Sequence, residues 1–150
     1  MLKLILSTLS ILLVAISVQA ADGVVNIPSS FSVKETADRM ESILQEKGMT
    51  IFNRIKHSEG AGEIGIVIRS TELIIFGNPK IGSLLLKCQQ STGIDLPQKA
   101  LIWEDEKQQV WLSYNDPKYL VKRHEITGCN EAINKIENAL NNFATSATTP

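Results

Sequence analysis

The sequence predicts an α+β domain with helices packed on a mainly antiparallel sheet. Three observations point there. Helical apolar periodicity alternates along the chain with short β-branched runs, so strands and helices are mixed. Two runs, residues 100–104 and 110–114, flank the polar turn of residues 105–109 and read as a hairpin, which demands antiparallel pairing. No internal repeat and no linker long enough for two domains interrupts the pattern.

The first 20 residues stand apart, with 14 apolar side chains and Lys3 as their only charge. A basic start, an apolar stretch over residues 4–16 and the small-residue ending Val18-Gln19-Ala20 predict a cleavable secretory signal over residues 1–20, removed before Ala21. The apolar run is too short and too diluted by serine and threonine for a membrane anchor. The expectation is a periplasmic or secreted chain, with no membrane attachment after cleavage.

The remaining chain, residues 21–143, reads as one domain. Residues 23–27 form a strand ending at Pro28. Ser32 and Glu35 have capping-box spacing, and Val33, Ala37, Met40 and Leu44 follow at steps of four and three, the spacing of a helix that Gly48 can end. Residues 50–57 read as a strand with Ile51, Asn53, Ile55 and His57 on one side. Residues 58–70 stay unassigned, because Gly60 and Gly62 break structure while Ile64, Ile66 and Ile68 suit strand or turn.

The continuous run Leu73-Ile74-Ile75-Phe76 predicts a central strand covered on both faces. Asn78 as cap and Pro79 at the first helical position open a helix with Ile81, Leu84, Leu85 and Cys88 on one face, ended by Gly93. Asp116-Pro117 repeats that device for a short helix to His124. Asn130 opens a last helix with Ile133, Ile136, Leu140 and Phe143 inward, and the tail, residues 144–150, is expected to fray.

Composition excludes some classes of function. The 130 residues after the leader hold 14 basic and 16 acidic side chains, a balance that excludes a nucleic-acid binder held by counterion release. Two cysteines exclude a disulfide-dense mini-scaffold. Both are expected at inward positions of an exported chain, which predicts a Cys88–Cys129 disulfide, the alternative being two buried free thiols.

The run Glu72-Leu73-Ile74-Ile75-Phe76-Gly77-Asn78-Pro79-Lys80, then Gly93-Ile94-Asp95-Leu96-Pro97, Trp103-Glu104-Asp105 and Val110-Trp111-Leu112-Ser113-Tyr114-Asn115-Asp116-Pro117, resembles one family in order and spacing. The chain is identified as a member of the domain of unknown function 302 family over residues 33–124. The resemblance implies helices covering one face of a curved antiparallel sheet, a TATA-box-binding-protein-like architecture, and a homodimer. It implies no established activity or catalytic residues, and fold alone does not argue function.

Reaction chemistry has no local signature. His57 and His124 are the side chains that titrate near neutrality without help, each readily satisfied at the edge of a core. There is no His-x-x-x-His or Cys-x-x-Cys spacing for a metal and no Gly-x-Ser-x-Gly elbow, so neither a metal, a cofactor nor a catalytic residue is expected. Glu104, Asp105 and Glu106 read as a solvated acidic tip, and the aromatic concentration of Trp103, Trp111, Tyr114 and Tyr119 as cross-strand packing. The expected function is non-enzymatic binding of a small molecule or partner protein; a small hydrolase or transferase and a purely structural interaction module are the alternatives. If a ligand binds, the expected place is a concave surface between sheet and helices. His57 as a polar group on a strand face, Asn78 and Lys80 at a helix start, Trp103 as a stacking surface and Arg123 as an anion fork are the candidate residues.

Overall fold

Alternation along the strands decides which way the molecule faces. The computed structural model describes residues 21–150, so the expected leader, residues 1–20, lies outside the described residues. Strands β1 (Val24–Ser29), β2 (Thr50–Lys56), β3 (Thr71–Gly77), β4 (Gln98–Glu104) and β5 (Val110–Asn115) form one sheet ordered β1-β5-β4-β3-β2, antiparallel throughout. Ile74, Phe76, Ala100, Ile102 and Leu112 all point to one side and are fully buried. Helix α1 (Val33–Glu46) packs across β2 to β5, and α5 (Asn130–Thr148) along β1 and β5. Fully burying a side chain such as Leu44 or Ile74 is worth about 1.5–3 kcal/mol, so this shared layer of α1, α5 and the inner sheet face holds the fold together.

The local signals behave as the residues dictate. Ser32 accepts a hydrogen bond from the Glu35 amide at 3.2 Å and starts α1, which buries Val33, Ala37, Met40 and Leu44. Asn78 accepts from the Lys80 amide at 3.0 Å ahead of α3 (Pro79–Cys88), and Asp116 from the Lys118 amide at 2.8 Å ahead of α4 (Pro117–His124). Arg54 on β2 pins α1 to the sheet through Glu72 at 2.7 Å, Asp38 at 2.7 Å and Glu41 at 3.0 Å. Burial works against its charge, but the hydrogen bonds it donates to these three carboxylates prevail and raise its pKa further.

Several expectations need correction. β1 does not stop at Pro28 but runs on to Ser29; it is an edge strand, where a missing N–H costs no ladder bond. His57 is not a strand residue: pairing with β3 ends at Lys56, and the Ser58 hydroxyl accepts from the Thr71 amide at 3.3 Å, turning the chain into α2 (His57–Glu63). β3 is paired on both edges yet covered on one face, because the helices of the main layer lie on one side only. In α3 only Leu85 of the expected face is buried, and Leu84 stands 51% exposed; the helix ends at Cys88 and a 3-10 turn, Gln90–Ile94, carries the chain past Gly93.

The tail does not fray either: α5 continues through Thr148 with Ala144, Ala147 and Thr148 buried. Arg39 of α1 donates to the carbonyls of Ser146, Ala147 and Thr149, satisfying the orphan acceptors of the helix end. The Ser30 amide also donates to the Thr148 carbonyl at 3.0 Å. Cys88 and Cys129 are joined in a disulfide, their Cα atoms 6.4 Å apart, which ties the end of α3 to the start of α5.

Candidate functional site

An apolar cleft of about 530 Å³ opens between α3 and α5, over the ends of β3 and β4. Each wall follows from an amphipathic element that leaves part of its apolar face without a neighbour. From α5 come Ile136, Ala139, Leu140 and Phe143, and from α3 Ile81, Gly82 and Leu86; Phe76, Gly77 and Pro97 close the strand end, with Met49 and Phe52 beyond. Phe52 stays 54% exposed and Leu86 38%, although both are large and apolar, because the cleft is open at its mouth. The polar lining is sparse: Asn78, Ser83 and Gln98, with Lys47 the one charged side chain among these lining residues. Such a surface favours an apolar body and gives it a few polar contacts for orientation.

On the same stretch of chain as the cleft-lining Gly93 and Leu96, three polar side chains converge. His124, buried at the end of α4, meets the Ser91 hydroxyl with Nδ1 at 3.0 Å and an Asp95 carboxylate oxygen with Nε2. The other Asp95 oxygen accepts from Arg123 at 3.0 Å. Ser91 itself is exposed.

The sheet face opposite the main helical layer is a third feature. Cross-strand partners place Ile55, Leu73, Leu101 and the facing pair Trp103 and Trp111 on it, all half-buried. Its polar atoms are satisfied internally. The Trp103 indole donates to Ser113 Oγ at 2.8 Å, Ser113 donates to Asn26 at 2.7 Å, and the Trp111 indole donates to Asp105 at 2.9 Å. That bond from Trp111 lowers the pKa of Asp105 against the opposing effect of desolvation, helped by the amides of Gln109 and Lys107.

The five residues expected to share a pocket do not. Asn78 lines the cleft, with its side-chain oxygen already engaged in capping α3. Lys80 is exposed on the first turn of α3, and His57 is exposed at the start of α2. Trp103 borders a separate shallow groove with Glu104 and residues 67–71. Arg123 holds Asp95 rather than an open anion fork. Asp105 is no free acidic tip: it is buried and folded back on its own turn and Trp111. Ser91, Asp95 and the cleft walls escaped sequence reasoning; the one available signal was Leu86, an apolar residue off the expected face of α3. Among the described residues no three His, Cys, Asp or Glu side chains are grouped to hold a metal, and no helix is long and apolar enough to cross a membrane.

The family model "Domain of unknown function DUF302" matches residues 25–143. The chain belongs to the DUF302 family. A DUF302 crystal structure from Bacillus stearothermophilus superposes with a TM-score of 0.75 at 20% identity, covering 85% of this chain and 99% of that one, which shows the shared fold. Two proteins named "Fluoride-specific ion channel FluC 1", from Brucella suis biovar 1 and Brucella abortus biovar 1, are 44% identical over 104 residues, 69% of this chain. The match takes in 41% and 38% of their lengths, so this chain spans about two fifths of the curated relatives it matches.

Proposed function

We propose that this DUF302 domain binds a small, largely apolar molecule in the cleft between α3 and α5, and that it does so as an exported protein. The cleft carries the reading. Its volume of about 530 Å³ lies within the range of small-molecule sites, roughly 300–1,000 Å³, and its lining is apolar on almost every side. Lys47 at the rim favours a ligand with an anionic end, such as a medium-chain carboxylic acid. The Cys88–Cys129 disulfide supports an oxidising compartment. Fluoride transport, named for relatives of which the chain spans only part, is no part of the proposal: an apolar cleft offers a small hydrated anion nothing to replace its water.

The test is a titration with decanoate displacing a fluorescent apolar probe, comparing the natural chain with Gly82→Phe. Gly82 lines the cleft within a helix, and a Cβ there would meet no heavy atom within 4 Å, so the variant keeps the fold while filling the space. Saturable one-to-one binding, weakened at least about tenfold by Gly82→Phe, is the expected result. Absence of saturable binding, or equal affinity in both proteins, refutes the cleft as the site.

A further inference from the structure

We propose that Ser91, His124 and Asp95 form a nucleophilic centre that takes an acyl group from a carboxylic ester, an activity separate from occupancy of the cleft. An ionised carboxylate can only accept, so the Asp95 oxygen facing His124 Nε2 places the proton on Nε2. In the neutral imidazole Nδ1 is then the acceptor, and the Ser91 hydroxyl, 3.0 Å away, donates to it. A hydroxyl hydrogen-bonded to a basic ring nitrogen, with a carboxylate fixing the other nitrogen, has the parts that activate serine nucleophiles on unrelated folds, with the two ring nitrogens exchanged: here Nδ1 faces the serine and Nε2 the carboxylate.

Burial separates the roles of the three. The His124 side chain is 6% exposed and that of Asp95 11%, so the base and its positioning residue are held in place. Arg123 fixes the second Asp95 oxygen at 3.0 Å and leaves the first to the ring. Ser91 is exposed on the turn Gln90–Ile94 and accessible to substrate.

In the proposed step Ser91 Oγ bonds to the ester carbonyl carbon and its proton passes to His124 Nδ1. The bond to the alcohol oxygen breaks, and the departing alcohol takes that proton from Nδ1. Water then attacks the acyl-serine through the same base, releasing the free acid and restoring the hydroxyl. Atoms and charge balance with an ester and water as the only reactants.

A fluorophosphonate reagent and p-nitrophenyl acetate, applied to the disulfide-bonded protein, test this. One phosphonyl group per chain, located on Ser91 by peptide mass analysis, is the expected product, together with a burst of one nitrophenolate per chain. Ser91→Ala is expected to abolish both while keeping the unfolding midpoint, because the residue is exposed; His124→Gln should slow labelling about 100-fold, within the range of a general base. Failure of the natural chain to react, or the same reaction in Ser91→Ala, overturns the proposal. Should His124→Gln fail to fold, the Ser91→Ala comparison still decides.

Discussion

The cleft and the open sheet face are both apolar and both reached by solvent, yet they are built for different contacts. The open face presents half-buried side chains on a pleated surface, and its indole N–H groups are already paired with Ser113 and Asp105. The cleft instead surrounds a volume with four elements, the helices α3 and α5 and the ends of β3 and β4. A small molecule loses most of its contact with water only in a concavity, whereas a flat face exchanges water over a broad area with another flat surface. Shape therefore decides between ligand and docking surface where hydrophobicity does not.

The disulfide clamps only one of the two regions. Cys88 closes α3 and Cys129 opens α5, the two helical walls of the cleft. The double variant Cys88→Ser/Cys129→Ser is expected to lose up to about 4 kcal/mol of unfolding free energy in denaturant titration, for a loop spanning 41 residues. Affinity for the apolar probe should fall with it, while intrinsic tryptophan emission, which reports the open face, holds its wavelength. A large stability loss with unchanged probe affinity would show that the bridge does not shape the cleft.

A smaller effect is expected on the open face. Asp105 anchors Trp111 on the open face, and that hydrogen bond holds its carboxyl below the usual aspartate range. The sign follows from the depressed value: the contribution is full above the ordinary aspartate pKa and is lost as pH falls through the lowered one. The unfolding midpoint of the natural chain should therefore exceed that of Asp105→Asn near neutrality. The gap is expected to close below about pH 4. Other lowered carboxylates, Asp38 and Glu131, titrate in both proteins alike and drop out of the difference. A gap that persists unchanged into acid would show that the bond to Trp111 does not depend on the charge of Asp105.

The main layer was legible because its signals are local. Capping residues Ser32, Asn78 and Asp116, the α1 spacing and the hairpin each depend on a few neighbouring positions, and the structure keeps them. Errors fell where tertiary context decides. His57 leaves its strand because of Ser58 and Thr71, and residues 144–148 stay helical because Arg39, more than a hundred positions away, reaches their carbonyls. Ser91 and Asp95 are four positions apart, but His124 lies 33 positions beyond Ser91, so nothing in the sequence could unite the three. The cleft is a shape between elements, and of its lining only Asn78 was among the residues expected to bind; the other four of that set sit apart from it.

Concavity, not apolar area, selects the binding site. Amide chemical-shift mapping with decanoate on isotope-labelled, disulfide-bonded protein reads that directly. Shifts are expected to concentrate at Gly77, Gly82, Gly93 and Ala139 around the cleft, with Leu73, Leu101, Trp103 and Trp111 unmoved. Shifts confined to those four residues of the open face, with the cleft amides silent, would contradict it and make that face the surface at which this domain meets its partner.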